Sequence, residues 1–188
     1  MVIAFHKPYG VLSRFTHDGS PHGTLADFAF PPKVYPLGRL DADSEGLLLL
    51  SDEPSLNEIL LHPRHRHERI YWVQVERIPS PELLLTLNRG VTIQGRPTLP
   101  CRATMLDPQP VLANRIPPIR ERKSVPDCWI ALELAEGKNR QVRRMTAAIG
   151  HPTLRLIRVQ IGGFLLGILP SGQWRVLTQN ERDLVFRR

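Results

Sequence analysis

The sequence predicts an α+β fold built on a largely antiparallel sheet. Three observations carry the prediction. Runs of β-forming residues outnumber helical patterns, most of these runs follow one another at hairpin-like spacing, and two segments bear paired helix start and stop signals.

In chain order, Val2-Ile3-Ala4-Phe5 reads as a short strand closed by the turn residues Lys7-Pro8-Tyr9-Gly10. Residues 16–24 form a polar loop around Gly19, Pro21 and Gly23. Leu47–Leu50 is a short apolar run bounded by turn residues, the mark of a buried strand. Ile70–Val75 is a second β-rich run, with Tyr71 and Val73 on one face and Ile70 and Trp72 on the other. A helix opens at Ser80-Pro81-Glu82, with Ser as cap and Pro at the first helical position, and closes at Asn88-Arg89-Gly90. Residues 91–106 suit a strand pair around Gly95-Arg96-Pro97.

Residues 107–126 carry Pro108, Pro110, Pro117, Pro118 and Pro126, with Arg115, Arg120, Arg122 and Lys123 beside Glu121. This is a Pro-stiffened basic loop: either a plain connection between lobes or, the favoured reading, an arm along a phosphate backbone. Trp129–Leu134 alternates, with Ile130, Leu132 and Leu134 on one face. Glu136-Gly137-Lys138 turns, Asn139 caps a second helix, and Gly150 with Pro152 ends it. Val142, Met145 and Ile149 form the apolar stripe of that helix; Arg140 and Arg144 point away from it and Arg143 lies on its flank. Leu154–Ile161 reads as a strand, Gly162-Gly163 as a break and Trp174–Leu177 as the last strand.

Hydrophobic residues make up 41% and charged residues 23% of the 188 residues, a globular composition that fits one domain, or one domain of two lobes, over residues 1–188. No apolar run is long enough to span a membrane. The start lacks the basic and apolar regions of a signal peptide. Cys101 and Cys128 are too few for a disulfide scaffold, read as core residues, and suit a reducing cytoplasm. The formal net charge is +7, and 21 of the 25 basic residues are Arg, the side chain of bidentate phosphate recognition. Residues 1–114 balance 11 basic against 12 acidic residues, whereas residues 115–188 set 14 against 6. That asymmetry fits a polyanion-binding face, most simply for nucleic acid; a basic surface kept for solubility is the plainer alternative.

Gly38–Gly46 places Asp41, Asp43 and Glu45 at alternate positions. A calcium loop fits its first half only. Asp52 stands where a bidentate Glu is needed, Pro36 and Gly38 deny an entering helix, and Pro54 disfavours an exiting one. By spacing alone a polar turn is the default, and nothing fixes the separation a hydrolase carboxylate pair needs. His62, His65 and His67 alternate with Arg64 and Arg66, which fits a solvated basic loop better than a metal site. No Walker loop or G-x-G-x-x-G is present, so no nucleotide cofactor is indicated.

GRLDADSEGLLLLSDE and GKNRQVRRM together resemble the pseudouridine synthases, in the branch that modifies single uridines of ribosomal RNA. KPYGVLS, ERIYWVQV and LPSGQWRVL fall in that family's order, so the resemblance runs from about residue 3 to residue 178. The stretch from Pro117 to Arg158 is similar to subgroup E of the synthases that act on large-subunit RNA. The resemblance implies a pseudouridine synthase fold, a central and mainly antiparallel sheet in two lobes around a catalytic cleft, without the small RNA-binding domain that often precedes the core. It also implies the reaction: the bond from ribose C1′ to uracil N1 breaks, the base turns, and C1′ joins C5. The product is an isomer, so neither cofactor nor metal is expected.

By motif position, Asp41 matches the family's catalytic Asp, whose ionised carboxylate serves attack on either the ribose or the base. Arg143 matches the Arg that pairs with it, and Tyr71 the Tyr that stacks on uracil. Arg39 resembles the residue that fills the gap left by a flipped base; a turn Arg paired to Asp43 or Glu45 is the alternative. Asp43 and Glu45 read as structural. Lys138, Arg140, Arg144, Arg120, Arg122 and Lys123 are the expected RNA contacts. The expected partner is 23S ribosomal RNA, and the expected state a cytoplasmic monomer. A catalytically silent RNA-binding or ribosome-assembly protein is the alternative of another class; intact Asp41, Tyr71 and Arg143 favour the enzyme.

Overall fold

The computed structural model describes residues 1–65, 67–119 and 124–186. The expected contacts Arg120, Arg122 and Lys123 therefore lie outside the described residues, as does Arg66. The elements are β1 (Val2–Lys7), β2 (Tyr35–Pro36), β3 (Glu45–Ser51), α1 (Ser55–Leu61), β4 (Arg69–Glu76), α2 (Pro81–Arg89), β5 (Thr92–Ile93), β6 (Arg96–Pro97), β7 (Arg102–Met105), β8 (Asp127–Leu134), α3 (Gln141–Ala148), β9 (Thr153–Ile161), β10 (Phe164–Leu165), β11 (Trp174–Val176) and α4 (Gln179–Phe186). Two compact units divide them: Met1–Arg69 with Ile157–Arg188, and Ile70–Leu156.

In the first unit the strand order is β11-β1-β3-β9, with β2 added to β3 and β10 to β9. β1 runs antiparallel to β3 from Val2↔Ser51 to Lys7↔Gly46, and antiparallel to β11 through Ile3↔Val176. β3 pairs with β9 in parallel at Glu45↔Ile157 and Gly46↔Arg158. Parallel neighbours need a long crossover, and the chain between these two strands contains the whole second unit. All seven residues of β3 are buried, as expected for a central strand covered on both faces. The run of four leucines lacks alternation for that reason.

Phe5 of β1 anchors the loop that follows it. Its ring meets Phe28 and Phe30 at centroid distances of 4.8 and 5.1 Å, and Phe30 meets Trp174 of β11 at 5.7 Å. Trp174 Nε1–H donates to the Phe28 carbonyl at 3.0 Å, so the indole's polar atom is satisfied as its ring packs. At the other end of β1 and β3, Glu53 accepts from Arg182 of α4 and from the chain's amino group. These hydrogen bonds hold the Glu53 carboxyl down at about 2.

In the second unit, β8 lies between β4 and β7. β7 and β8 pair antiparallel from Arg102↔Glu133 to Met105↔Ile130. Ile130, Leu132 and Leu134 share the buried face, as the alternation predicts. α2 packs against β7 and α3 against β5. Gln94 and Gly95, both with positive φ, make the tight turn between β5 and β6.

Several local expectations change. Pro54 disfavours a following helix by its residue type, yet α1 starts at the next residue with Pro54 as its cap. A helix start needs no backbone donor there, so a ring without an N–H costs nothing. Asn139 does not cap α3; the cap is Arg140 in the left-handed region at φ 51°. The Gln141 side chain instead reaches back, accepting from the Lys138 N–H at 2.8 Å and donating to Glu136 at 2.6 Å. Val142 and Met145 of the α3 stripe are buried, while Ile149 stays half-buried just past the helix end. His67 is buried against Phe186 rather than solvated.

Gly46 sets the closest backbone approach in the first unit. Its φ is 103°, and a Cβ there would lie 2.3 Å from the Arg158 carbonyl oxygen and 2.7 Å from the Arg158 nitrogen. Both obstacles are backbone, so β9 itself would have to move. Gly46→Ala is expected to cost about 2–4 kcal/mol and lower Tm by roughly 5–15 °C. Gly10→Ala is the control: its φ is 79° but no atom lies within 4 Å of the added carbon. The control is expected to cost about 1–2 kcal/mol, the left-handed penalty alone. Equal losses in thermal melts of the two variants would remove the steric argument.

Candidate active site

The turn that carries Asp41 belongs to the first unit and is pinned on both sides. Leu40 is buried, and its backbone bonds twice to the Ser13 hydroxyl: N–H to Oγ at 3.0 Å, and Oγ–H to the carbonyl at 2.8 Å. The Ala42 carbonyl accepts from the Gly10 N–H at 2.7 Å, and the Asp41 carbonyl from the Ser44 N–H at 3.0 Å. Asp41 and Asp43 are half-buried, while Ser44 and Glu45 are buried where the turn enters β3. Arg39 stands exposed just before the turn.

Beneath these carboxylates lies Lys7, a residue to which the sequence motifs assign no role. Its side chain is fully buried, and Nζ donates to the carbonyls of Val11 at 2.7 Å and Pro8 at 3.0 Å. Burial pushes its pKa down to about 7; the nearby charges of Glu45, Asp43 and Asp41 oppose that shift, and Arg158 adds to it. Arg158 is itself buried and donates from Nε to the Leu47 carbonyl at 2.7 Å. The row Lys7–Gly46–Arg158 across β1, β3 and β9 thus brings two cations to the strand end from which the Asp41 turn rises. Adjacency of the KPYG turn to the acidic loop is a tertiary fact with no local periodicity, so spacing carries no sign of it.

Tyr71 and Arg143 belong to the second unit. Tyr71 is 9% exposed and shares its face with the buried Val73 and Val75, so the ring packs at the edge of the core as strand alternation predicts. Arg143 is half-buried on the flank of α3, where Nη1 donates to the Thr153 carbonyl at 3.4 Å. Lys138 and Arg140 are exposed in the turn before α3. Lys138 Nζ donates to the Pro97 carbonyl at 3.0 Å and pairs with Glu136 at 3.1 Å. Burial works to raise the Glu136 pKa, but hydrogen bonds from Leu99, Lys138 and Gln141 outweigh it and hold the carboxyl ionised. Arg144 bonds to Gln94 at 2.5 Å and twice to Asn139, tying the β5–β6 turn to the start of α3.

The remaining reactive residue types are inert. Burial raises both cysteine thiols to about 11, far from a thiolate at neutral pH. Among the described residues no three His, Cys, Asp or Glu side chains gather closely enough to hold a metal ion. Among the same residues no helix is long and apolar enough to cross a membrane.

Lys7 gives the fold a pH signature. The unfolded chain keeps this proton up to about pH 10.5, whereas the folded chain releases it near 7. Between those values the unfolded state holds more protons, so stability rises with pH; below about 7 the two states are protonated alike and the term is flat. The unfolding free energy of the wild type is expected to gain on that of Lys7→Met by about 1 kcal/mol per pH unit between roughly pH 7.5 and 9.5. Denaturant titrations across that range check it; a constant difference would contradict the buried-amine assignment.

Known proteins share this chain's sequence pattern and its fold. A family model described as RNA pseudouridylate synthase matches residues 1–148. A protein of Xanthomonas axonopodis pv. citri named ribosomal large subunit pseudouridine synthase E is 53% identical over 190 residues, covering 100% of both chains. The ribosomal large subunit pseudouridine synthase B of Bacillus subtilis is 35% identical, over 94% of this chain and 67% of its own. Among solved structures, one titled crystal structure of pseudouridylate synthase superposes with a TM-score of 0.80 at 27% identity, covering 98% of this chain and 73% of the other. With a family model over most of its length, a full-length relative at 53% identity and the same α+β fold, this chain belongs to the RNA pseudouridylate synthase family.

Proposed function

We propose that this chain converts one specific uridine of 23S ribosomal RNA to pseudouridine, with Asp41 as the nucleophile and without a cofactor. The observation that carries the reading is the Asp41 turn: a half-buried carboxylate fixed by backbone hydrogen bonds on both sides, above a buried amine. The names of the relatives support the substrate class. In the reaction the C1′–N1 bond breaks with its electron pair going to uracil. The base turns, C5 bonds to C1′, the C5 proton leaves and N1 gains one. Atoms and electrons balance within the substrate, which is why no redox partner or energy source is called for.

Each residue then has a task. Asp41 attacks the ribose or the base and must be ionised to do so. Arg143 keeps the role that its place in the motif implies, the catalytic Arg. Tyr71 receives the uracil ring and holds its hydroxyl near a proton that moves. Arg39, exposed before the turn, enters the stack where the target base has left. Lys138 and Arg140 contact phosphates, together with the basic stretch of Arg120, Arg122 and Lys123, while Arg144 orders the turn that presents them. The enzyme works in the cytoplasm as a monomer.

Two measurements test the reading. Asp41→Asn is expected to abolish pseudouridine formation, with RNA affinity kept within about tenfold because the phosphate contacts remain; Asp43→Asn is expected to keep a measurable rate. The reverse pattern would overturn the assignment, and wild-type protein that binds RNA but forms no pseudouridine would identify a silent binder.

Tyr71→Phe keeps the ring and removes the hydroxyl. Single-turnover rates are expected to fall roughly 10²–10⁴-fold with little change in thermal unfolding. A stable variant with normal turnover would deny the hydroxyl a chemical role.

A further inference from the structure

The second unit contains a cavity of about 370 Å³ that no step above uses. It lies on the face of the β4–β8 sheet opposite to Tyr71. Gln74 and Glu76 alternate with Val73 and Val75 on β4, Asp127 and Trp129 alternate with Cys128 and Ile130 on β8, and Gln74 Nε2 donates to Asp127 at 2.8 Å across that face. Part of the Pro-rich loop covers it. Arg155 pins this roof by donating to the Ala113 carbonyl at 2.8 Å, and Arg115 braces it through the Pro117 carbonyl at 2.9 Å.

The loop turns Leu112 and Ile119 toward the space and leaves Val111 and Ile116 exposed, yet the space stays open and is also lined by charges of both signs: Glu76 and Asp127 on the sheet side, Arg115 and Arg155 at the edges, with Trp129 as an aromatic floor. A polar space kept open under a pinned roof fits a ligand with both N–H donors and anionic oxygens. At this volume it holds one nucleotide and excludes a duplex.

We propose that this cavity receives a second unpaired nucleotide of the RNA substrate, one whose base carries an exocyclic amine. The proposal rests on the reading of this chain as an RNA-modifying enzyme. Adenine, cytosine and guanine offer amine hydrogens to the carboxylates; uracil offers a single N–H between two carbonyls, which the carboxylates repel. The arginines take the flanking phosphate. Single-stranded bases splayed into pockets are the usual source of sequence recognition in RNA. The cavity would thus select the RNA around the target, while the Asp41 turn carries out the chemistry.

The test uses the full chain, an rRNA fragment bearing the modified site, and the four nucleoside monophosphates. Asp127→Asn and Arg155→Gln are expected to raise KM for the fragment about tenfold or more with kcat at saturating RNA unchanged within about twofold. Asn114→Trp, on an exposed loop position, is expected to do the same by filling the cavity while leaving the sheet intact. By calorimetry AMP, CMP or GMP is expected to bind the wild type more tightly than UMP, and Asn114→Trp to abolish the difference. Unchanged KM in all three folded variants would overturn the proposal, as would equal binding of UMP at this site or occupation of the cavity by a protein. Failure of the wild type to form pseudouridine would instead count against the functional reading, while mononucleotide binding would still report on the cavity.

Discussion

The backbone contact between Gly46 and Arg158 is the constraint on which the first unit depends. β3 can carry its parallel pairing with β9 from Glu45 through residue 46 only because residue 46 has no side chain. Everything N-terminal to it inherits its position: Glu45 and Ser44 are drawn under the surface, and the turn above them is left with Asp41 and Asp43 half-exposed. The hydrogen bonds from Gly10 and Ser13 then hold the turn against the rest of the unit.

Lys7 is the electrostatic counterpart of that constraint. Three carboxylates in five residues repel one another, and the buried amine beneath them offsets part of that repulsion whenever it holds its proton. The amine is buried deeply enough that its charge is itself expensive, so the arrangement sits near balance rather than at a strong minimum.

Much of the fold was legible in the sequence because its strands are locally marked. Alternation in residues 129–134, the bounded leucine run and the Pro- and Gly-punctuated helix at 81–89 all carry their boundaries with them. What was illegible depended on distant partners. α1 hides behind a proline that also serves as a helix start, and the cap of α3 is a left-handed Arg rather than the neighbouring Asn. α4 is the exception: its start is marked locally by the capping box Thr178-x-x-Glu181, in which the Glu181 N–H donates to Thr178 Oγ1 at 3.3 Å and the Thr178 N–H to the Glu181 carboxylate at 2.9 Å, and Arg175–Glu181 and Arg182–Glu53 add to it. Asp41, Tyr71 and Arg143 were named through ordered motifs, not by spacing. Lys7 and Arg158 acquire meaning only when β1, β3 and β9 lie side by side.

Past the last β7–β8 backbone pair, Gln109 takes over. Its side-chain amide accepts from the Trp129 N–H at 2.6 Å and donates at 3.1 Å to the Trp129 carbonyl, which also accepts from the Leu106 N–H at 3.1 Å. The ladder is therefore closed at Trp129 by one backbone bond from Leu106 and by the Gln109 side chain, one residue beyond β7 and without any further strand. Chain length beyond Gln109 is freed from strand register. The loop that follows can lengthen, shorten or change composition while β7 and β8 keep their alignment.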